Sequence, residues 1–163
     1  VRVYLPATIG MLRRLVSDGE LQPLGGTGFA LTPALRESYV SGDTEELEYA
    51  ALLDAARASL RLLGDEEKEP PRRVVLSVDV ADATPRPDLD AAVVKISGPI
   101  GLEDVAAVHV DTEEAEEAVR SAAAVIDAAD LGDLDAEFAL GEAEDHELAW
   151  YAPQELPFLL ELL

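Results

Sequence analysis

The chain has 163 residues, 34 acidic against 12 basic side chains for a formal net charge of −22, and no cysteine. That balance repels phosphate backbones and anionic lipid, so neither nucleic acid nor a membrane surface is an expected partner. The lack of cysteine excludes disulfides, thiol nucleophiles and cysteine–metal centres, and it fits a reducing cytoplasm.

With 48% apolar residues the length is that of one globular domain, 1–163, able to bury a core without a disulfide or metal staple. No basic run exceeds two residues, at Arg13-Arg14 and Arg72-Arg73. No segment reaches the roughly 18 apolar residues of a membrane span. The N-terminus lacks a basic region followed by an apolar stretch, so no signal peptide is expected. The charge itself reads as a means of solubility.

Residues 1–5, VRVYL, alternate as a strand, and Pro6 is expected to end it. Thr8 caps a helix over 9–17, with Leu12, Leu15 and Val16 inward and Gly19 as its stop. Residues 22–28 form a loop. Its Gly25-Gly26-Thr27-Gly28 run matches a phosphate-cradling loop only in glycine content, since no lysine follows and no helix opens there. Residues 29–31 are at most a short strand. Thr32-Pro33 starts a helix running to Val40. Asp43 with Glu46 starts a second, to Leu63, with Tyr49, Leu52, Leu53, Ala56, Leu60 and Leu63 as its buried stripe.

After a charged linker over 65–71, residues 73–81 alternate as a strand. Val74, Leu76, Val78 and Val80 take one face, and Val75, Ser77 and Asp79 the other. Residues 82–90 are a loop, 91–97 a strand, 102–105 a helical turn, and 107–110 a strand. Thr112 opens an alanine-rich helix to Ala129, the plainest helix in the sequence. Residues 130–145 give no clear pattern, being acidic with few large apolar side chains. A final strand is expected over 147–151. The apolar tail, 153–163, should turn helical after Pro157.

Two strand–threonine–helix units, 1–16 and 106–129, are each followed by a further strand. That rhythm predicts an α/β (α+β) sandwich of the ferredoxin-like β-α-β-β-α-β kind, with the helical pair of 32–64 inserted. An open doubly wound α/β sheet is the alternative, although it favours strands apolar on both faces.

His109 and Asp111 are two apart on a strand and so share a face. An imidazole beside a carboxylate is a candidate base or ligand, and Asp79, late in another strand, is a third candidate. The simpler reading is a strand-end histidine bonded to a neighbour and an aspartate at a helix entry. His146, in the run Glu144-Asp145-His146-Glu147, reads as a solvated turn. No HExxH, HxH or DxD spacing supports a metal, and no G-x-S-x-G context supports a nucleophilic serine. Neither a metal nor a cofactor is therefore expected. Arg2, Tyr4, Trp150 and Tyr151 are candidate binding residues if the first and last strands adjoin. Phe158, Leu159 and Leu162 must dock on the body, on a protein partner or on a second copy of the chain.

The blocks RVYLPAT, LTPALRE, ELEYAAL, AAVHVD and WYAPQELP, in this order, resemble an uncharacterised actinobacterial protein family, a domain of unknown function. The resemblance spans most of the chain. It implies a bacterial cytoplasmic protein and brings no activity, ligand or catalytic residue. The expectation is a non-enzymatic binding or regulatory module. The alternative is a small-molecule or metal-dependent enzyme built on His109, Asp111 and Asp79, which requires His109 within reach of Asp79 or Tyr4.

Overall fold

The computed structural model describes residues 1–163, apart from the side chain of Asp65. In chain order the elements are β1 (Arg2–Ala7), α1 (Ile9–Asp18), β2 (Glu20–Leu21), β3 (Thr27–Phe29), α2 (Pro33–Glu37), α3 (Thr44–Leu62), β4 (Val74–Asp79) and β5 (Thr84–Pro85). They continue with β6 (Val93–Lys95), β7 (Ile100–Gly101), β8 (Val105–Val110), α4 (Glu116–Asp130), α5 (Leu134–Glu144), β9 (Ala149–Tyr151) and α6 (Leu156–Glu161). Seven strands make one sheet in the order β5-β6-β3-β1-β4-β8-β9, and β2 pairs with β7 as a separate ribbon. Every pairing is antiparallel.

The α/β class read from the sequence holds. The strand order departs from the ferredoxin-like plan, in which the strands of each β-α-β unit run parallel with another strand between them. Here β1 and β4 are direct antiparallel neighbours, from Arg2↔Asp79 to Ala7↔Val74. The reason is local. Ser59, near the end of α3, donates to the Ala7 carbonyl at 2.7 Å and accepts from the Val74 N–H at 3.1 Å. The returning chain is thus delivered to the end of β1 where that strand finishes, and it must run back alongside it. A doubly wound sheet would need parallel strands, and none pair here.

Pro6 lies inside β1 rather than ending it, opposite Val75. β3 meets β1 only at Tyr4↔Phe29, so the other edge of β1 is unpaired at Pro6 and a missing N–H costs nothing there. Gly28 sits where β3 crosses the core. A Cβ there would collide with Val3 Cγ1 and lie 3.0 Å from Leu5 Cδ2, which accounts for that glycine without any phosphate. Nearby, Lys95 donates to the Gly25 carbonyl at 3.0 Å and to Thr27 Oγ1 at 2.6 Å.

Helices cover both sheet faces. On one, Val3, Leu5, Val74, Leu76, Val108 and Val110 meet Leu12 and Leu15 of α1 and Leu156, Leu159 and Leu160 of α6. Each fully buried leucine contributes about 1.5–3 kcal/mol from area removed from water. On the other, Tyr4, Val75 and Ala92 meet Leu35 and the small residues Ala51, Ala55 and Ala56 of α3. The helical pair is therefore a layer of the fold and not an appended insertion.

Its buried side agrees with the expected stripe at Ala56, Leu60 and Leu63 and departs from it at Tyr49 and Leu53. Leu47, Ala51, Ala55, Ser59 and Leu60 face inward, whereas Tyr49 and Leu53 stand out at 52% and 43% exposure. Small side chains let the helix settle onto the sheet, with Cα atoms of α3 and β1 within 8 Å, and the larger ones are left on its flank.

Residues 130–145, unreadable in sequence, hold α5. Gly132 turns the chain at φ 93°, Asp133 caps through its side chain, and Ala136, Leu140 and Ala143 pack on Val119, Ala122 and Ile126 of α4. Thr112 does not cap α4 with its side chain; a single 3₁₀ turn over Glu113–Ala115 leads into the helix. No helix among the described residues is long and apolar enough to cross a membrane.

Candidate functional site

The flank of α3 overhangs the sheet beside the β8–β9 edge, and a groove runs between them. One lobe, of about 270 Å³, has Tyr4, Ser77 and His109 below it, with Tyr49 and Leu52 on the helix side and Trp150 on the strand side. The adjoining lobe, of about 410 Å³, shares Tyr49, Leu52, His109 and Trp150 and extends to Leu53, His146 and Glu147. Strand register explains the gathering. Tyr4 lies opposite Ser77, Ser77 opposite Ala107, and His109 opposite Trp150, so alternate residues of four consecutive strands rise on one face.

His109 stands where the lobes meet. Its Nε2 and Ser77 Oγ share a 2.8 Å hydrogen bond across the strand pair. Its Nδ1 bonds no protein group among the described residues, and no fully buried side-chain nitrogen or oxygen lacks a partner, so Nδ1 keeps some access to solvent; the depressions that His109 lines are the two lobes of the groove. Burial, and after it the positive charge of Arg2, holds the imidazole below its ordinary pKa. The ring is therefore neutral at neutral pH, and one nitrogen is free to accept a hydrogen bond.

Tyr4 is buried, with its hydroxyl 3.4 Å from Glu48 Oε2. Desolvation, reinforced by Glu48, pushes the phenol up to about 12. It stays protonated and donates.

The other residues singled out in sequence fall elsewhere or are already engaged. Asp111 is fully buried. It accepts from the Arg73 backbone N–H, Nε and guanidinium nitrogen, each at 2.8 Å, while the guanidinium also reaches the His146 carbonyl at 2.8 Å. Its carboxylate is committed to closing the sheet and does not back the imidazole.

Asp79 lines a different depression, beside Asp82 and Ser97. Arg2 grips it at 2.8 and 3.3 Å and holds its carboxyl below the usual range. Of the two late aromatics, Trp150 lines the groove. Tyr151, opposite Val108, packs on the other face. The first and last strands do not pair, since β4 and β8 lie between them; Tyr4 and Trp150 meet across the groove and not across a strand pair. In the tail Leu159 is buried, whereas Phe158 and Leu162 are exposed.

Ser77, Tyr49 and Glu48 were not singled out as site residues. Ser77 carries a usable signal, because it alternates with Val75 and Asp79 on the face opposite Val74, Leu76 and Val78, the face that α3 covers. The helical spacing of Tyr49 predicts burial, whereas it stands on the exposed flank of α3.

The arrangement offers a neutral acceptor, a buried hydroxyl pair and aromatic walls, with no carboxylate behind the histidine. Among the described residues no group of three histidine, aspartate or glutamate side chains is placed to hold a metal ion. No curated protein and no solved structure matches the chain. A family model matches residues 1–160, and the chain belongs to that family, DUF6912, a family of unknown function.

Proposed function

We propose that the protein is a binding module that holds a small molecule in the groove between α3 and the β8–β9 edge. The observation that carries this is the pairing of the polar groups. His109 has Ser77 on one nitrogen, and Ser77 is only 2% exposed, so its hydroxyl is shielded from an incoming electrophile. Asp111, the carboxylate nearest to His109 in sequence, is spent on Arg73. What remains accessible is a recognition surface, Nδ1 of His109 framed by Tyr49 and Trp150, at 52% and 61% exposure. Exposed aromatics around a concave polar centre are typical of ligand sites.

A cysteine-free, strongly acidic sequence supports a cytoplasmic setting. Phe158 and Leu162, exposed beside the docked residues of α6, support a further association surface for a partner or a second copy.

A thermal-shift screen over amines, acids, nucleotides, sugars and divalent metals tests the reading. A groove ligand at 100 times its dissociation constant adds about 2.7 kcal/mol to the stability. It should raise the Tm of the native protein and not that of Trp150→Ala. A hit that stabilises both equally would lie outside the groove and refute the proposal. The alternative, catalysis by His109 as a base, is favoured by its open nitrogen alone. It predicts turnover of a bound ligand that His109→Gln abolishes while binding persists.

A further inference from the structure

The charges around the groove do not cancel. Two cations line it, and both are already matched: Arg2 is paired with Asp79, and Arg73 is paired with Asp111. Three carboxylates also line it, Glu45, Glu48 and Glu147, and none forms an ion pair among the described residues. The groove thus carries an uncompensated negative charge within a chain whose net charge is −22. Tyr49 and Trp150 line both of its lobes. An aromatic face attracts a cation held within about 6 Å of its centre, and an anion gains nothing there.

Building on the reading of the groove as a ligand site, we propose that its ligand is a small organic cation, a protonated amine seated between Tyr49 and Trp150 and donating an N–H to His109 Nδ1. The tautomer that fits has Nε2–H donating to Ser77 Oγ, which leaves Nδ1 as the acceptor. Glu45 and Glu48 supply the countercharge from α3, and Glu147 supplies it from the strand side. A metal ion fits less well, because the acceptor set is spread around aromatic rings instead of converging on a point. An anionic ligand would meet three carboxylates with no free arginine or lysine.

The test uses three probes of one shape and different charge, benzylammonium, benzyl alcohol and benzoate, titrated into the full ¹⁵N-labelled chain at low salt and followed by amide and indole N–H shifts. Benzylammonium should move the His109 and Trp150 signals and weaken with added salt. It should bind at least about five-fold more weakly to Trp150→Leu, a change within the range of one lost cation–aromatic contact. The double variant Glu45→Gln, Glu48→Gln, in which the amide oxygen at 48 can still accept from the Tyr4 hydroxyl, should also weaken it while leaving the unliganded spectrum folded. If benzyl alcohol or benzoate moves the same signals as strongly, the choice of a cation is overturned and the groove stands as a ligand site. If none of the three moves groove signals, both the cation and the groove reading are overturned.

Discussion

Two arginine–aspartate pairs in this protein have the same length and opposite surroundings. Arg73–Asp111 and Arg61–Asp130 both close at 2.8 Å, but the side chains of the first are 3% and 0% exposed and those of the second 41% and 34%. Geometry alone would rank them equal; burial should separate them. In Asp111→Ala the Arg73 guanidinium keeps only the His146 carbonyl, and the Arg73 backbone N–H loses its acceptor. Stranding one member of a buried pair costs about 3–5 kcal/mol. With a urea dependence of about 2 kcal/mol per molar, the unfolding midpoint should fall by about 1.5–2.5 M. A domain holds only about 5–15 kcal/mol in total, so the variant sits near the limit of folding. Asp130→Ala, in contrast, removes a partly solvated carboxylate shared by Arg57 and Arg61, and should cost no more than about 1 kcal/mol. Equilibrium urea unfolding followed by far-ultraviolet circular dichroism compares the two directly. Equal midpoint shifts would refute the reasoning, since Asp111 would then not be the buried anchor of β4 and β8.

Ser59→Ala should cost about 1–3 kcal/mol, because it removes the buried hydroxyl that donates to the Ala7 carbonyl and accepts from the Val74 N–H, two hydrogen bonds at about 0.5–1.5 kcal/mol each; an unchanged urea midpoint would show that this bridge does not hold β1 and β4 together. His109 gives a pH signature. Its folded pKa is lowered, so between that value and the unfolded value of about 6.5 the unfolded chain binds more protons. Its contribution is complete above about pH 6.5 and is lost as pH falls through the folded value. Unfolding free energies measured from about pH 5 to about pH 8 should rise less steeply for His109→Gln than for the native chain, and identical slopes would remove His109 as the cause.

The sequence was most legible where side chains alternate or repeat at full size. The alternation at β4, the alanine-rich run of α4 and the apolar tail are all where periodicity put them. It was least legible where small residues make the contact. Ala51, Ala55 and Ser59 carry little hydrophobic signal, so periodicity places the C-terminal half of the seat of α3 at Ala56, Leu60 and Leu63 but also places Tyr49 and Leu53 in it, which point outward. The same cause hid α5, whose buried face is mostly alanine among acids. His109, Arg2, Tyr4 and Trp150 are legible as strand residues with a definite face. Their convergence is not, since it depends on which strands adjoin, and that is set by long-range pairing that no local pattern encodes. Asp111 shows the converse: its place beside His109 in sequence suggested a shared task, and a partner 38 residues away took it.

The alanines under α3 have one more consequence. They act as spacers of fixed thickness between helix and sheet, and so they set the width of the groove above His109. Methyl groups have no rotamers to adjust, so the spacing of helix and sheet beneath the groove cannot be relaxed by turning a side chain. A larger residue at 51 or 55 would lift the helix, widening the groove and loosening the core in a single step. In this fold the width of the groove and the stability of the protein are adjusted at the same positions.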